Sequence, residues 1–413
     1  MSKNVQIMIN KPFWLTKSSL GFEQSRQFPQ LDSKETVDIC VVGGGLIGNF
    51  IAYWLSEMGI SVVLLEKDLL ASGSSGRNTG FILPGTVEHF NRSMTLHGKE
   101  KALAIWKFTE RNFDQMLGII KDESIDCDLQ ENGSLIVASS KQEDIELKES
   151  FVHLSASGIQ VDLLTSSELE KKFKSDQFFG ALKTKVGAGI QPVKLVNALS
   201  KILSSRNIKI YENSPVLDIC EYESNSLQIV TEGGTVDCAM AVLATNAYTS
   251  QVISGFDDLI FPFQGQAFVT EPFPSSIFDE VVYANYGFEY WRQLRDGRLM
   301  IGGFREKDGQ KGEGFSTEVN SELIHGLYDY FYQLFPKVER VPISHAWSGT
   351  MGFSKDGLPI VGNTKMPHCF VCGGFTGHGL GFASAIGELT AQVMVNGKGD
   401  ASELFHISRF DGG

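Results

Sequence analysis

The run Gly43-Gly44-Gly45-Leu46-Ile47-Gly48 constrains this chain more than any other segment, because of what stands on either side of it. Before it lies VDICVV at 37–42, a β-type run; after it comes FIAYWLSEM, a helical one. A G-x-G-x-x-G turn alone is common, but between a strand and a helix each glycine has its own reason. Gly43 permits the tight turn, Gly45 lets a pyrophosphate approach the backbone, and Gly48 lets the helix pack closely on the strand. Leu46 and Ile47 open that helix, where unpaired amides face phosphate oxygens. Gly59 closes it, and SVVLLE supplies a second strand, so a complete β-α-β unit and a buried parallel sheet are predicted. Glu66 ends the second strand, where a carboxylate accepts hydrogen bonds from adenosine ribose hydroxyls and repels a 2′-phosphate. A dinucleotide other than NADP is the expected ligand.

The rest of the chain alternates between two kinds of pattern. Residues 97–121 and 141–155 carry helical spacing and SLIVAS at 134–139 reads as a strand, an α+β arrangement rather than more Rossmann repeats. Helix VKLVNALSKIL and strands IKIYE, SLQIVT and CAMAVLAT then return to the nucleotide type between 180 and 250. Strand-rich QAFVTEP and GRLMIGGF and a helix around 320–334 leave it again, before glycine-rich sequence at 347–387. The expected fold class is α/β: a Rossmann-like dinucleotide-binding domain interleaved with an α+β substrate domain on a mostly antiparallel sheet. The nucleotide domain is assigned 37–86, 180–257 and 345–413, the substrate domain 87–179 and 258–344, and residues 1–36 an arm packed on the surface.

Composition narrows the ligand class. A formal net charge of −13 argues against broad electrostatic attachment to nucleic acid or anionic lipid. No apolar run approaches the roughly 20 residues of a membrane span, and the start of the chain lacks the order of a secretory signal. A small-molecule substrate and a cytoplasmic location are expected. The six cysteines are scattered, and Cys369 and Cys372 lie in CFVC, an apolar strand-like run without a second cysteine pair or a histidine cluster. They read as reduced core thiols, with no metal site.

The fingerprint does not separate FAD from NAD, because both share an ADP half. Two further segments bear on it. SGSSGRNTGF at 72–81 places small residues and Arg77 where a flexible loop runs under a flavin, and GGFTGHGLGF at 373–382 precedes the helical ASAIGELTAQVM. The dipole of that second glycine-rich helix start stabilises negative charge on the pyrimidine end of a reduced flavin. Together with VVGGGLIG, Glu66, LATNAYT at 243–249, YWRQLRDGRLMIGG at 290–303 and WSGTMGFSKDGLPIVG at 347–362, these segments resemble the D-amino-acid and glycine oxidase-like (DAO) family of FAD enzymes. Within it they look most like gamma-glutamylputrescine oxidases. The resemblance runs from about Val37 to Val393. It implies FAD stretched along the first domain, with contacts beyond the fingerprint at Glu66, Lys67, Ser74, Ser75, Arg77, Asn78 and Thr79. Further contacts are implied at Val216, Ala244, Thr245 and Gly352, and along Gly377, His378, Gly379, Leu380 and Gly381.

It also implies oxidation of the C–N bond of a small amine or amino acid, by hydride transfer to flavin and hydrolysis of the imine to an aldehyde or keto acid. That chemistry requires placement and exclusion of water rather than an acid–base triad. His378 is expected to present backbone and shape to the flavin more than to move protons. The family's amino-acid oxidases carry a carboxylate-clamping arginine in G-L-R-P, where this chain reads Gly349-Thr350-Met351-Gly352, so Met351 marks a missing clamp. The oxygen-assisting lysine of sarcosine-type oxidases is matched by Met300, which leaves the electron acceptor as oxygen or another species. Their attachment cysteine is absent near Gly349, so FAD is expected to be non-covalent. Tyr290 and Arg292 share a strand face in YWRQ, and two readings of Arg292 stand side by side, the partner of a remote carboxylate or a surface arginine salt-bridged on its strand, with Arg77 and Arg305 as the other cations open to a carboxylate. Two other readings stay open at this point: an FAD-holding subunit whose chemistry or electron exit lies on a partner, and, against the missing GD-containing segment, a flavin monooxygenase.

Overall fold

The computed structural model describes residues 8–21 and 24–410. The predicted β-α-β unit is there: the strands Lys34–Val42 and Val62–Leu65 pair in parallel, joined by the helix Leu46–Glu57. Thr235–Leu243 flanks Lys34–Val42 on its other side, also in parallel, and Lys209–Tyr211 extends the sheet beyond Val62–Leu65. Side-chain alternation gives this sheet two dry faces. Ile39 and Val41 face a core shared with the helices Leu46–Glu57, Pro192–Ser205 and Gly379–Asn396, while Cys40 and Val42 face Leu227, Ile229 and Val236. Burial on both faces is why these strands read as continuous apolar runs instead of alternating ones.

A second, nine-stranded sheet carries the α+β part, and all its neighbouring strands are antiparallel except two parallel pairs. Its centre runs Ile343–Ser354, Ile260–Thr270, Leu299–Gly303, Glu289–Gln293 and Val281–Ala284. The helix Ser321–Leu334 closes an aromatic core against it, with Trp291, Phe278, Phe331 and Phe335 edge to face. The α/β class with a mostly antiparallel second sheet is the observed one.

Two expectations need correction. The leader is no surface arm: Trp14 is 2% exposed, and Phe13, Leu20 and Leu31 are also buried. The Trp14 indole donates to the Asn78 carbonyl at 2.6 Å, and its own carbonyl accepts from Gln191. An indole that large stabilises far more inside than against water, and the PFWL patch was the sign of it. Residues 1–7 and 22–23 of the leader lie outside the described residues. Strand Gly180–Thr184 and strand Ile343–Ser354, expected largely with the nucleotide part, both belong to the nine-stranded sheet. Their ladders decide this: Gly180–Thr184 pairs with Ser134–Ala138 on one edge and Val161–Thr165 on the other, and Ile343–Ser354 pairs along its length with Ile260–Thr270. Among the described residues, no helix is long and apolar enough to cross a membrane. Cys369 and Cys372 lie in a buried strand, and burial pushes the Cys372 thiol up to about 12.

Candidate active site

A cleft between the two sheets gathers most of the residues singled out above. Its nucleotide end is made of backbone. Gly43 has φ +115°, and a Cβ there would sit 2.7 Å from the Ala244 carbonyl oxygen. A Cβ on Gly48 would be 1.9 Å from the Gly43 oxygen, so Gly48 does not line the cleft but lets helix meet strand. A Cβ on Gly45 would lie 2.9 Å from the Ser75 hydroxyl, which itself accepts from the Leu46 amide at 2.8 Å. The Gly45 and Ile47 amides donate to no protein group among the described residues, and both residues line the cleft. Glu66 lines it too, and its carboxylate additionally accepts from the Gly44 amide at 2.7 Å and the Asp68 amide at 2.9 Å. It ties the glycine turn to the end of the second strand, a role the sequence did not suggest. Lys67, with its ammonium 4.4 Å over the Tyr248 ring, Val216, Ala244 and Thr245 complete this end.

The 72–81 segment, expected to run as a flexible loop under a flavin, is stapled instead. Asn78 donates to the Ser74 and Ser75 carbonyls and accepts from the Gly80 amide. Arg77 donates to the Ser72 and Ser348 carbonyls, and Trp347 donates to the Arg77 carbonyl. Each bond ties the segment to its own turn or to the nine-stranded sheet, which accounts for its order. Ser74, Ser75, Arg77, Asn78 and Thr79 all line the cleft.

On the far wall, Gly377, His378, Gly379 and Leu380 start the 18-residue helix Gly379–Asn396, whose first turn has no side-chain cap. That leaves its dipole and free amides toward the cleft. Gly381 faces away: a Cβ there would meet the His378 ring and the Leu83 carbonyl at 2.8 Å. Gly352 likewise lies off the cleft, making room for the Asn246 side chain. His378 is buried, neither ring nitrogen makes a protein hydrogen bond, and burial holds its pKa down to about 4, so it is neutral at physiological pH.

Past this point the walls are side chains. Tyr283, Tyr286, Phe288, Tyr290, Arg305 and Met351 line the cleft, with Gly265, Gln266 and Ala267 between them. Gly302 exists to admit Tyr290, since a Cβ there would lie 2.2 Å from its ring. Burial raises both the Tyr283 and Tyr290 phenols above the usual range, so both remain donors. Arg292 is the correction here. It shares a strand with Tyr290 but does not line the cleft; its guanidinium donates to the Gly80 carbonyl at 3.1 Å and the Ile190 carbonyl at 2.8 Å, over the Trp14 ring. The Gly80 carbonyl also accepts from the Ile190 amide at 2.9 Å, whereas the Ile190 carbonyl has no backbone donor among the described residues, and the buried cation is spent on these two. Arg305, in the sequence only an alternative to Arg292, lines the cleft. The signal for it was present in Gly302-Gly303, a paired glycine at a strand end that opens the backbone beside a pocket.

Comparison with known proteins agrees with this geometry. Residues 38–393 match the family model of DAO, FAD-dependent oxidoreductase. The chain is 26% identical to the oxidoreductase OrdL of Haemophilus influenzae, over 90% of this chain and 86% of that one. It is 25% identical to gamma-glutamylputrescine oxidoreductase of Escherichia coli, covering 91% and 87%. The structure of L-proline dehydrogenase from P. horikoshii superposes with a TM-score of 0.79 at 21% identity, covering 92% and 98%, and so shares the fold. FAD suits the cleft described: a cradle that any Cβ would fill, and unpaired amides at two helix starts. The chain belongs to the FAD-dependent oxidoreductase family, and its cofactor is FAD.

Proposed function

We propose that this enzyme oxidises the C–N bond of a small amine or amino acid to an imine, which water hydrolyses to an aldehyde or keto acid. The observation that carries the reading is the make-up of the cleft beyond the glycine cradle. It is walled by Tyr283, Tyr290, Phe288 and Met351, with a neutral His378, and no cysteine or serine–histidine pair lines it. Such walls orient a substrate and keep water out, which is what removal of a hydride from carbon demands. FAD supplies the two-electron acceptor when bound. Gly43, Gly45, Leu46, Ile47 and Glu66 would hold its adenosine diphosphate half, and Arg77, Asn78, Thr79 and Gly377 to Leu380 would hold the rest. His378 shapes the wall; with a pKa of about 4 it is the neutral imidazole at neutral pH, which keeps one N–H donor and is no general acid.

The E. coli relative, gamma-glutamylputrescine oxidoreductase, lends this reading a substrate type, an amine whose carboxylate is remote from the reacting carbon. FAD is held non-covalently in this reading, because the attachment cysteine of sarcosine-type oxidases has no counterpart at Gly349 to Met351. Mixing the purified yellow protein anaerobically with primary amines, N-methyl amines and D-amino acids tests the proposal. Bleaching of the flavin by at least one amine is expected, with FAD released intact on heat precipitation. A flavin that no amine reduces, or that stays in the pellet, would contradict it.

A further inference from the structure

Four cationic or potentially cationic side chains approach the cleft, and three are already committed. Arg77 donates to two carbonyls. Lys67 lies at the adenosine end, over Tyr248 and 3.9 Å from Asp68. His378 is neutral. Arg305, half-buried at the start of the short helix Arg305–Asp308, makes no hydrogen bond and no ion pair among the described residues. Glu88 and Glu306 are near enough to influence it, yet neither pairs with it, and Glu88 lies 4.0 Å from Arg92 instead. Asp308, on the same turn, is engaged by Gln266 and Asn320.

The position of Arg305 gives that free guanidinium a purpose. Strand alternation puts Gly349, Met351 and Phe353 on one face of Ile343–Ser354. The Arg305 guanidinium stands 4.7 Å over the Phe353 ring and 5.2 Å over the Phe288 ring, so it reaches the strand face that also carries Met351. Its charge acts on both Tyr283 and Tyr290, and neither phenol hydrogen-bonds a protein group among the described residues. A planar fork of N–H donors between two aromatic rings, with two phenolic donors close by, matches one ligand group well: a carboxylate.

We infer that Arg305 is the carboxylate anchor of the substrate, supplied from the end of the Leu299–Gly303 strand in place of a cation at Met351, and that Tyr283 and Tyr290 complete the donor set. The inference rests on the amine-oxidation reading and deepens it: the substrate is an amine that bears a carboxylate. Two consequences follow. Neutral amines of the same length bind more weakly than their carboxylate-bearing counterparts, and the discrimination resides in KM, because the anchor is equally formed in ground and transition states.

The test uses the FAD-loaded enzyme and matched pairs of non-oxidisable probes: straight-chain monocarboxylates of two to five carbons against their primary amides. Binding is read from the shift in the flavin spectrum. The expected result is that at least one carboxylate binds tenfold or more tighter than its amide. Arg305→Gln raises the Kd of that carboxylate at least tenfold, and leaves the amide within twofold and the FAD content unchanged. Arg305→Lys, which keeps the charge and loses the fork, falls between. Equal binding of carboxylates and amides in the wild-type enzyme overturns the inference even if Arg305→Gln does not fold. So does an unchanged carboxylate Kd in either variant, or tighter binding of inorganic phosphate than of any carboxylate. Bleaching by amines without carboxylate preference would sink the anchor alone. Carboxylate binding lost in Arg305→Gln, with no amine able to bleach the flavin, would sink the amine-oxidation reading alone.

Discussion

At one end the cleft is walled by backbone: Gly43, Gly45 and Ile47 offer a bare main chain, and Glu66 serves the turn with both its oxygens. At the other it is walled by side chains from strands far apart in sequence, Tyr283, Tyr290, Arg305 and Met351. The nucleotide end recognises through groups every residue has, so its only sequence requirement is that side chains be absent. The substrate end recognises through groups that differ, and each is set by where its strand ends. The first should fail all at once when a side chain is added; the second should change by degrees.

The largest effect expected is that of Gly45→Val. Its branched side chain meets Ser75 and fills the space a pyrophosphate needs, so FAD retention, read as flavin absorbance per protein after gel filtration, drops to background. A yellow Gly45→Val protein would break the contrast between the two ends. Next comes Arg292→Met, behind the substrate wall. It strands the Ile190 carbonyl, at about 1–3 kcal/mol, takes one of two donors from the Gly80 carbonyl, and should lower thermal stability without altering the order of substrate preference. A changed preference at unchanged Tm would return Arg292 to the substrate side.

Glu66→Ala should weaken FAD binding by about 1.5–3 kcal/mol, roughly ten- to a hundredfold, and still leave a flavoprotein. Affinity equal to that of Gly45→Val would mean the carboxylate matters as much as the bare backbone. The last effect, read as a slope against pH and not as a loss of ligand, concerns Glu289, beside Tyr290 on the same strand. It is buried, bonded only to Asn285, and burial raises its carboxyl to about 8. The folded state therefore keeps a proton that the unfolded state has released. Its contribution is full below about pH 4.5, is lost as pH rises to about 8, and falls by at most about 1.4 kcal/mol per pH unit between. Glu289→Gln should flatten that slope in denaturant titrations at pH 5, 6.5 and 8. An unchanged slope would show that the carboxyl is ionised behind the wall.

Much of this was legible before any coordinates. The β-α-β unit, the strand of Cys369 and Cys372, and the glycine-rich start of the Gly379–Asn396 helix all lie in short contiguous segments whose pattern states their structure. The leader was misread because a four-residue apolar patch does not say what it packs on; Asn78 and Gln191, its partners, are far along the chain. The loop at 72–81 was misread for the same reason, since its staples include Ser348 and Trp347.

The two arginines show where sequence stops. Arg292 and Arg305 flank the same strand pair, and local pattern favoured Arg292, whose alternation with Tyr290 is clear. What the sequence alone determined was the nucleotide end, because a glycine turn between strand and helix acts through neighbours a few residues away. Which arginine faces the cleft was decided only by the tertiary structure. Trp14, Gly80 and Ile190 converge behind Arg292 and bury it, whereas the chain leaves the sheet after Gly303 and carries Arg305 out over Phe353. A guanidinium goes where its donors are needed, and those acceptors come together only when the two sheets close.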